Sequence, residues 1–376
     1  MDGVHVDLYL AFGYPDNIVY EPGEEWIQDV PFINGSIRAT IHLISGGARL
    51  VFHNGSYFVV YKEDDHGVFN LASREVDSTR TGFLPKVIVK DTYIPDQLAV
   101  AAGDAGLFAV TVQAGVVPGF FRFNGTTGWD VLDTDALEHA DNNTIVAGAD
   151  PKGNVLAVYY AEHGHAACAL FEVSHGDHID PCGIPPVYGP SMAIASIAEG
   201  SFILIANEGG VIKSATTSDS GATWSAAQTV VSDGVSPDSS VSIIRSVDTR
   251  LGEASWVVSY INLAGAVQWK RAVQVSPTTA NWNAIPASTF FTATAANGKN
   301  FSEQAMASFG GMNYGVVGLS FTDNKISYRG CFESVPTEAP TLSPTVASSL
   351  RSSAVELRAS SLLVALAVVY GVAMLM

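Results

Sequence analysis

Charge and methionine are scarce in this sequence, and each shortage excludes a class of protein. Only 15% of the 376 residues are charged, and 37 acidic side chains against 19 basic ones leave a net charge of -18. Such a chain repels phosphate backbones, which excludes nucleic acid as a partner. With 6 methionines against 35 glycines, the composition favours short strands and tight turns over helices. The 47% hydrophobic content is still ample for a core.

The sequence also lacks a signal peptide and the motifs of several enzyme classes. No phosphate-binding loop, nucleophile elbow or zinc-binding helix motif is present. The first residues, MDGVHVDLYLAFGYPDN, have neither the basic start nor the apolar stretch of a secretory signal. Because other features described below indicate secretion, we expect the printed chain to lack its true beginning.

No apolar run is long enough for a regular membrane span. The terminal run, residues 362–376, would rise about 22 Å as a helix, short of the roughly 30 Å of a bilayer core. Ser352 and Ser353 precede it with a polar spacer, a pattern that is typical of a GPI-anchor signal. We therefore predict a removable signal over residues 353–376, with lipid attached at Ser352 or Ser353. The alternative is a membrane tail anchor, which the two arginines before the tail favour.

A segment rich in proline, serine and threonine separates this tail from the rest of the chain. Residues 334–352 cannot pack a core and resemble an extended, O-glycosylated stalk. Residues 1–333 would then form the folded unit. Five Asn-x-Ser/Thr sequons fit a glycoprotein at the extracellular face of the plasma membrane. They are Asn34, Asn54, Asn124, Asn142 and Asn300.

Seven segments share one pattern, a glycine followed by an alternating apolar strand, a polar turn and another strand. Successive copies begin about 50 residues apart, at Gly3, Gly55, Gly106, Gly153, Gly200, Gly252 and Gly311. Four short antiparallel strands per copy are typical of a β-propeller blade. We predict an all-β protein, a β-propeller of seven blades with six as the alternative, in preference to a β-sandwich or β-helix.

Both ends of this repeat are incomplete. The first copy begins at its second strand, and the last copy ends at Cys331 without an outermost strand. Propellers commonly close by taking such a strand from the N-terminus. We therefore expect residues before Met1 to fill both positions. In a six-bladed ring, residues 36–44 would close the last blade instead.

One turn carries a recognisable motif. Thr217, Asp219, Gly221, Thr223 and Trp224 match the Asp box, S/T-x-D-x-G-x-T-W, so this copy resembles the sialidase superfamily of propellers with BNR repeats. The box lies between third and fourth strands, where its aspartate can bond its own turn. We therefore interpret Asp219 as a structural residue. In the family that it resembles, the active face is the opposite one, formed by turns between second and third strands.

The resemblance implies an enzyme as the alternative to a binding protein. A sialidase grips the substrate carboxylate with arginines and uses a tyrosine/glutamate pair with an aspartate acid/base. A partial set comprises Arg38, Arg245, Asp64, Asp65 and Tyr314. The Phe-Arg-Ile-Pro motif of the family is missing, however, and the sialidase ring has six blades. The sequence leaves open whether the chain is an enzyme.

The turns on the expected functional face are acidic. They contain Asp16, Glu63, Asp64, Asp65, Glu162, Glu208 and Asp323. A rim of this sign repels sialic acid, which argues against a sialidase. Such a rim could bind a Ca²⁺ ion or a basic or hydroxyl-rich ligand. The alternative is that these acidic residues are only solvated turns without a ligand.

The histidines do not predict a metal site. His163 and His165 lie at one end of a predicted strand, and His175 and His178 lie beyond its other end. The two pairs are separated by about 23 Å of strand, so one ion cannot reach both.

Two of the three cysteines predict a disulfide. Cys168 and Cys182 lie on the third and fourth strands of one blade. A bridge between them would close a short loop, contribute about 3 kcal/mol and fit an oxidising compartment. Cys331 is left over, and we expect its partner in the missing N-terminal strand.

Together these observations predict a monomeric cell-surface propeller without a resident cofactor. Its expected role is a non-catalytic binding or adhesion module for glycans or extracellular proteins, held at the membrane by a C-terminal lipid anchor. The alternative is an exo-glycosidase of the sialidase type that removes terminal sialic acids.

Overall fold

The computed structural model describes most of the chain up to residue 331 and a short segment after it. The described residues are 6–13, 26–29, 37–54, 56–65, 68–75, 84–93, 95–125, 128–134, 136–162, 164–176, 178–248, 253–276, 279–282, 288–291, 301–310, 313–320, 326–331 and 364–368. Side chains are described for parts of residues 49–282.

The described residues form 27 strands and one short 3-10 helix, Val173–His175. Alternating apolar residues and glycine turns account for most of these strands. In chain order the strands are β1 (Val6–Gly13), β2 (Trp26–Asp29), β3 (Ile37–His53), β4 (Ser56–Asp65), β5 (Val68–Glu75), β6 (Val87–Lys90), β7 (Gln97–Gly103), β8 (Gly106–Val112), β9 (Gly119–Phe123), β10 (Trp129–Val131), β11 (Ala140–Ala149), β12 (Val155–Ala161), β13 (His165–Phe171), β14 (Ile179–Pro181), β15 (Ser191–Ala198), β16 (Ser201–Asn207), β17 (Ile212–Thr217), β18 (Gln228–Val231), β19 (Val241–Asp248), β20 (Glu253–Ile261), β21 (Val267–Ser276), β22 (Thr279–Asn281), β23 (Ser288–Phe291), β24 (Phe301–Gly310), β25 (Asn313–Ser320), β26 (Ile326–Cys331) and β27 (Val364–Val368).

These strands are arranged in six antiparallel sheets, numbered I to VI. Sheets II, III and IV are four-stranded meanders, β7 to β10, β11 to β14 and β15 to β18. Sheet V contains β19 to β22, with β23 also paired to β21, and sheet VI has the order β2-β26-β25-β24. Sheet I has the order β27-β1-β3-β4-β5-β6. Contacts join β3, β7, β11, β15, β19 and β24 in that sequence, so each sheet packs beside the next.

The hydrophobic core lies between adjacent sheets. Separate clusters of buried side chains fill the spaces I–II, II–III, III–IV and IV–V. Between sheets II and III, the ring centroids of Phe108 and Phe171 are 4.7 Å apart. Each buried large side chain stabilises this packing by about 1.5–3 kcal/mol. The architecture is that of a β-propeller, which confirms the predicted fold class.

The described strands form six sheets, whereas we expected seven blades. Six of the seven repeat segments become second strands, namely β4, β8, β12, β16, β20 and β25. The segment after Gly3 instead forms β1, which pairs with β3 in sheet I. β1 has the sequence pattern of a second strand, but it lies in sheet I, where β4 is already the second strand of the meander. This copy of the repeat therefore adds a strand to sheet I and does not form a sheet of its own.

The strand that completes the last sheet also differs from expectation. Trp26–Asp29 pairs with β26 and occupies the outermost position of sheet VI, for which we had expected residues before Met1. Residues 37–44 belong to β3, so they do not close the last blade as the six-bladed alternative required. β27 pairs with β1. Within the described part of the chain, no helix has the length and apolar character of a membrane span.

Candidate functional site

Two faces of the propeller are distinguished by their turns. Because strand direction alternates in each meander, turns between second and third strands lie on the same face as the crossovers between sheets. We call this the crossover face. Its described crossovers are residues 91–93 and 95–96 between sheets I and II, 132–134 and 136–139 between II and III, 182–190 between III and IV, and 232–240 between IV and V.

Two tyrosine rings pack in a tilted pair at the junction of sheets III and IV on this face. Tyr160 lies near the end of β12, and Tyr188 lies on the crossover that leads into sheet IV. Their ring centroids are 5.7 Å apart and the rings are inclined by 39°. Tyr188 is 41% exposed, and Tyr160 is partly exposed. Tyrosine is among the residues that are enriched at binding interfaces, because its ring is apolar and its hydroxyl can form a hydrogen bond.

An ion pair adjoins these rings. Glu208 follows β16 directly, and one of its carboxylate oxygens accepts the backbone N–H of Tyr188 at 3.2 Å. The other oxygen accepts from Lys213 Nζ at 2.6 Å. The side chains of Glu208 and Lys213 are 23% and 36% exposed, so both reach solvent. We call Tyr160, Tyr188, Glu208 and Lys213 the tyrosine ledge.

The local sequence explains why Tyr188 points outward. Pro185 and Val187 are buried beneath the crossover, so the residue after Val187 faces solvent. Gly189 then passes against the end of β16, where a Cβ would lie 2.1 Å from the carbonyl oxygen of Asn207. Only glycine permits this approach, which brings Tyr188 beside the turn that carries Glu208.

The ledge combines two chemistries suited to sugars. A pyranose has a face of C–H groups, which can lie on an aromatic ring, and a rim of hydroxyls, which can bond to charged groups. The tyrosine rings offer the apolar surface. Glu208 can accept hydroxyl hydrogens and Lys213 can donate to ring or hydroxyl oxygens.

The Asp box forms a bonded turn on the opposite face. Asp219 accepts the backbone N–H of Thr223 at 2.9 Å, its hydroxyl at 2.6 Å and the hydroxyl of Thr217 at 2.8 Å. Burial raises the pKa of Asp219, but these bonds outweigh it and hold the pKa below its ordinary value. The indole N–H of Trp224 donates to Gly183 O at 3.1 Å, which ties sheet IV to the crossover after sheet III. The contacts account for Asp219 as a turn residue.

The predicted disulfide is present beneath that turn. Cys168 and Cys182 are bonded, with Cα atoms 5.2 Å apart. Gly221 of the Asp box has φ +91°, and a Cβ there would lie 3.1 Å from Cys168 Sγ. The disulfide of sheet III therefore packs against the Asp box of sheet IV, a contact that sequence reasoning did not anticipate. Cys331 lies at the end of β26.

The five candidate catalytic residues are distributed over three sheets. Arg38 lies on β3, Asp64 and Asp65 end β4, and Tyr314 lies near the start of β25. The side chains of these four lie outside the described part, so their proposed roles stay predictions. Arg245 lies on β19, exposed, with its guanidinium carbon 5.8 Å from the ring centroid of Trp256.

Several histidines and acidic side chains contact one another in the described part of the chain. The described residues contain no group of three His, Cys, Asp or Glu side chains placed to hold an ion. Three of the four clustered histidines have a ring nitrogen close to a carboxylate oxygen. The distances are 3.2 Å for His165 and Glu138, 3.1 Å for His175 and Asp180, and 3.5 Å for His178 and Asp133. On the acidic rim, Glu208 is paired with Lys213, and Glu162 lies 3.8 Å from His139. The remaining rim positions and His163 have no described side chain.

The sequons differ in how their side chains are held. Asn54 is exposed on the turn after β3. Asn124 is bonded within the turn after β9, where it accepts the N–H of Gly128 at 3.0 Å and donates to Asp130 at 3.0 Å. Asn142 lies on β11 without a described side chain, while Asn34, Asn300 and the two predicted lipid sites, Ser352 and Ser353, lie outside the described residues.

Sequence reasoning missed both tyrosines and the lysine of the ledge, and found only Glu208. The signal that could have found Tyr188 is the segment PPVYGP, in which prolines and a glycine hold a single aromatic residue in a crossover.

Comparisons with known proteins identify the fold. No family model and no curated protein sequence matches the chain. A triple Arg-to-Ala mutant of AofleA from Arthrobotrys oligospora matches with a TM-score of 0.54 at 10% identity, covering 82% of this chain and 86% of that one. A mutant of Aleuria aurantia lectin in complex with Fucα1-6GlcNAc matches with a TM-score of 0.50 at 10% identity, covering 77% and 93%. Another structure of that lectin, described as a six-bladed β-propeller with a novel fucose recognition mode, has a TM-score of 0.48 at 11% identity and the same coverage. At these identities the likeness shows the fold alone, a β-propeller.

Proposed function

We propose that the protein is a carbohydrate-binding module, and that the tyrosine ledge is its glycan contact. The observation that carries this proposal is the tilted ring pair of exposed Tyr188 and partly exposed Tyr160 beside the bonded carboxylate of Glu208. Because the N–H of Tyr188 and the ammonium of Lys213 already fix this carboxylate, it needs little reorganisation to accept a ligand hydroxyl. The fold of Aleuria aurantia lectin, solved with a fucosyl disaccharide, supports the same class of ligand.

The described residues do not favour the sialidase-type alternative. Asp219 is bonded within its own turn, and Arg245 stacks on Trp256. At the ledge, the ammonium of Lys213 is already paired with the carboxylate of Glu208, so it is less available to a sialic acid carboxylate. Sugars without a carboxylate therefore suit the ledge better than sialosides.

A glycan array tests the proposal. We expect the native protein to bind neutral glycans, and Tyr188→Ala to lose at least about tenfold in affinity because a central aromatic contact is removed. Tyr188→Phe should keep most of the affinity because the ring remains. The matched control is Leu263→Ala, which removes a 71% exposed side chain from a turn of sheet V on the same face. An array that is silent for the native protein would overturn the proposal.

We further propose that the module is displayed at the extracellular face of the plasma membrane on a GPI anchor. The support comes from the small residues Ser352 and Ser353, the apolar tail and the sequons. Phosphatidylinositol-specific phospholipase C should release the protein from intact cells, and replacing both serines with bulky residues should prevent anchoring. Protein that stays in the membrane pellet after this treatment, and carries no glycan, would support the tail anchor instead.

A further inference from the structure

The crossover between sheets III and IV carries Tyr188 and is held near both of its ends. At its start, Cys182 is disulfide-bonded to Cys168 of β13, and the N–H of Cys182 donates to the carbonyl oxygen of Cys168 at 3.1 Å. At its end, the hydroxyl of Thr144 on β11 donates to Pro190 O at 3.1 Å. Tyr188 lies between these attachments, so its place at the ledge depends on how the crossover is held.

Gly183, the second residue of the crossover, is bonded to the turn over residues 217–224, which resembles an Asp box. The N–H of Gly183 donates to Gly221 O at 2.8 Å, and its carbonyl oxygen accepts the indole N–H of Trp224 at 3.1 Å. A Cβ at position 183 would lie 2.4 Å from the carbonyl oxygen of Ala222, so a larger residue could not approach the turn this closely. Both polar backbone groups of Gly183 are therefore bonded to one turn of sheet IV.

The segment between Gly183 and Tyr188 is stiff. Pro185 and Pro186 fix two φ angles, and a proline also restricts the residue before it. Val187 is buried in the core between sheets III and IV. Because few backbone angles of this segment are free, a displacement of Gly183 would be passed on to Tyr188.

An indole link of the same chemistry occurs at the I–II junction but holds a different element. Trp129, the first residue of β10, donates its indole N–H to Ser73 Oγ on β5 at 2.9 Å. Both tryptophans are partly buried, and each ties its own sheet to the preceding one. Trp129 bonds a strand, whereas Trp224 bonds the crossover that presents Tyr188.

We propose that Trp224 and Gly183 are positioning residues for the glycan contact, and that they act through the crossover on Tyr188. This inference rests on the proposed function, and it gives a turn on the opposite face a role in binding at the crossover face. Because the crossover is held before a ligand arrives, the ring of Tyr188 needs little ordering on binding, which favours affinity. Loosening the attachment of Gly183 should therefore weaken binding although every residue of the ledge is kept.

Trp224→Phe tests this proposal, because it keeps an aromatic ring and removes the indole N–H. In the whole protein, the amide hydrogen of Tyr188, which is bonded to Glu208, should exchange at least about threefold faster, while exchange in β8 stays unchanged. Titration uses the methyl glycosides of L-fucose, D-galactose, D-mannose and N-acetyl-D-glucosamine, and each glycoside that binds should bind at least about threefold more weakly. Gly183→Ala should change exchange and affinity in the same direction, because its methyl group would collide with Ala222 O.

The matched control is Trp129→Phe, which removes the same kind of bond from the I–II junction. It should lower the melting temperature by a similar amount, yet leave the exchange of the Tyr188 amide and the glycoside affinity unchanged. Equal losses of affinity in the two tryptophan variants would indicate a general loss of stability and would overturn the positioning role. Native affinity, or unchanged exchange at Tyr188, in either Trp224→Phe or Gly183→Ala would overturn it too.

The outcomes separate this inference from the proposed function. If the native protein binds none of the four glycosides while Trp224→Phe still speeds exchange at Tyr188, the proposed function is wrong and the link between Gly183 and Tyr188 is supported. Absence of both binding and the exchange effect would overturn both proposals. Weaker binding and faster exchange in Trp224→Phe and Gly183→Ala, but not in Trp129→Phe, would support both.

Discussion

At the scale of single residues, chemically similar side chains have different roles according to their partners. Asp219 and Glu208 are both carboxylates near turns. Asp219 is bonded by Thr217 and Thr223 of its own hairpin, so its oxygens are committed to local structure. Glu208 bonds to a crossover residue and to a lysine, and thereby joins two sheets at a surface. Residue type alone would not separate these roles.

The pKa of Asp219 predicts how its contribution varies with pH. Because the folded-state pKa lies below the ordinary value of 3.8, the ionised side chain stabilises the fold above that value. The stabilisation is lost as the pH falls through the lower, folded-state pKa. We expect Asp219→Asn to lower the melting temperature at pH 7 by about 2–4 °C, as the loss of about 1 kcal/mol of hydrogen bonding would produce. Thermal unfolding measured from pH 7 to pH 2 should show this gap closing.

A matched control for that experiment is Asp238→Asn, since Asp238 is an exposed aspartate of the IV–V crossover. Its replacement should change the melting temperature little at any pH. If the gap between native protein and Asp219→Asn were equally large at pH 7 and pH 2, the ionised form of Asp219 would not be the source of the stability.

At the scale of elements, local patterns predicted strands well and pairings poorly. The glycine followed by alternating apolar residues predicted β8, β12 and β16, because the turn glycine and the strand period are both local. β1 carries the same pattern but pairs with β3, which local sequence cannot specify. β2 has only four residues and belongs to no repeat, so its place in sheet VI depends on contacts some 300 residues away.

The candidate site was predicted less completely than the strands. The disulfide between Cys168 and Cys182 was predicted from spacing and is present, and the turn that resembles an Asp box was located from its motif. Tyr188 lies in a crossover without periodicity, and its exposure depends on buried Val187 and on the approach of Gly189 to Asn207. Such a position becomes visible only when two sheets are packed together.

At the scale of the whole molecule, a strand from near the start of the chain completes the last sheet. β2 pairs with β26 in sheet VI, while β3, the next strand in the chain, belongs to sheet I. The segment between them therefore links the last sheet to the first. Any cross-link between β2 and β26 would close nearly the whole propeller into one loop.

This arrangement predicts that engineered cysteines will join β2 to β26. Ile27 lies opposite Arg329, and Gln28 lies opposite Tyr328. Antiparallel pairs alternate between hydrogen-bonded and non-hydrogen-bonded sites, and both spacings fall within the Cα separation of a disulfide. With Cys331 replaced by serine to prevent mispairing, at least one double-cysteine variant should oxidise within the folded protein. Closing so long a loop should stabilise the protein by about 2–4 kcal/mol, seen as a higher melting temperature that reductant removes. The single-cysteine variants are the controls, and failure of both pairs to cross-link would show that β2 does not lie beside β26.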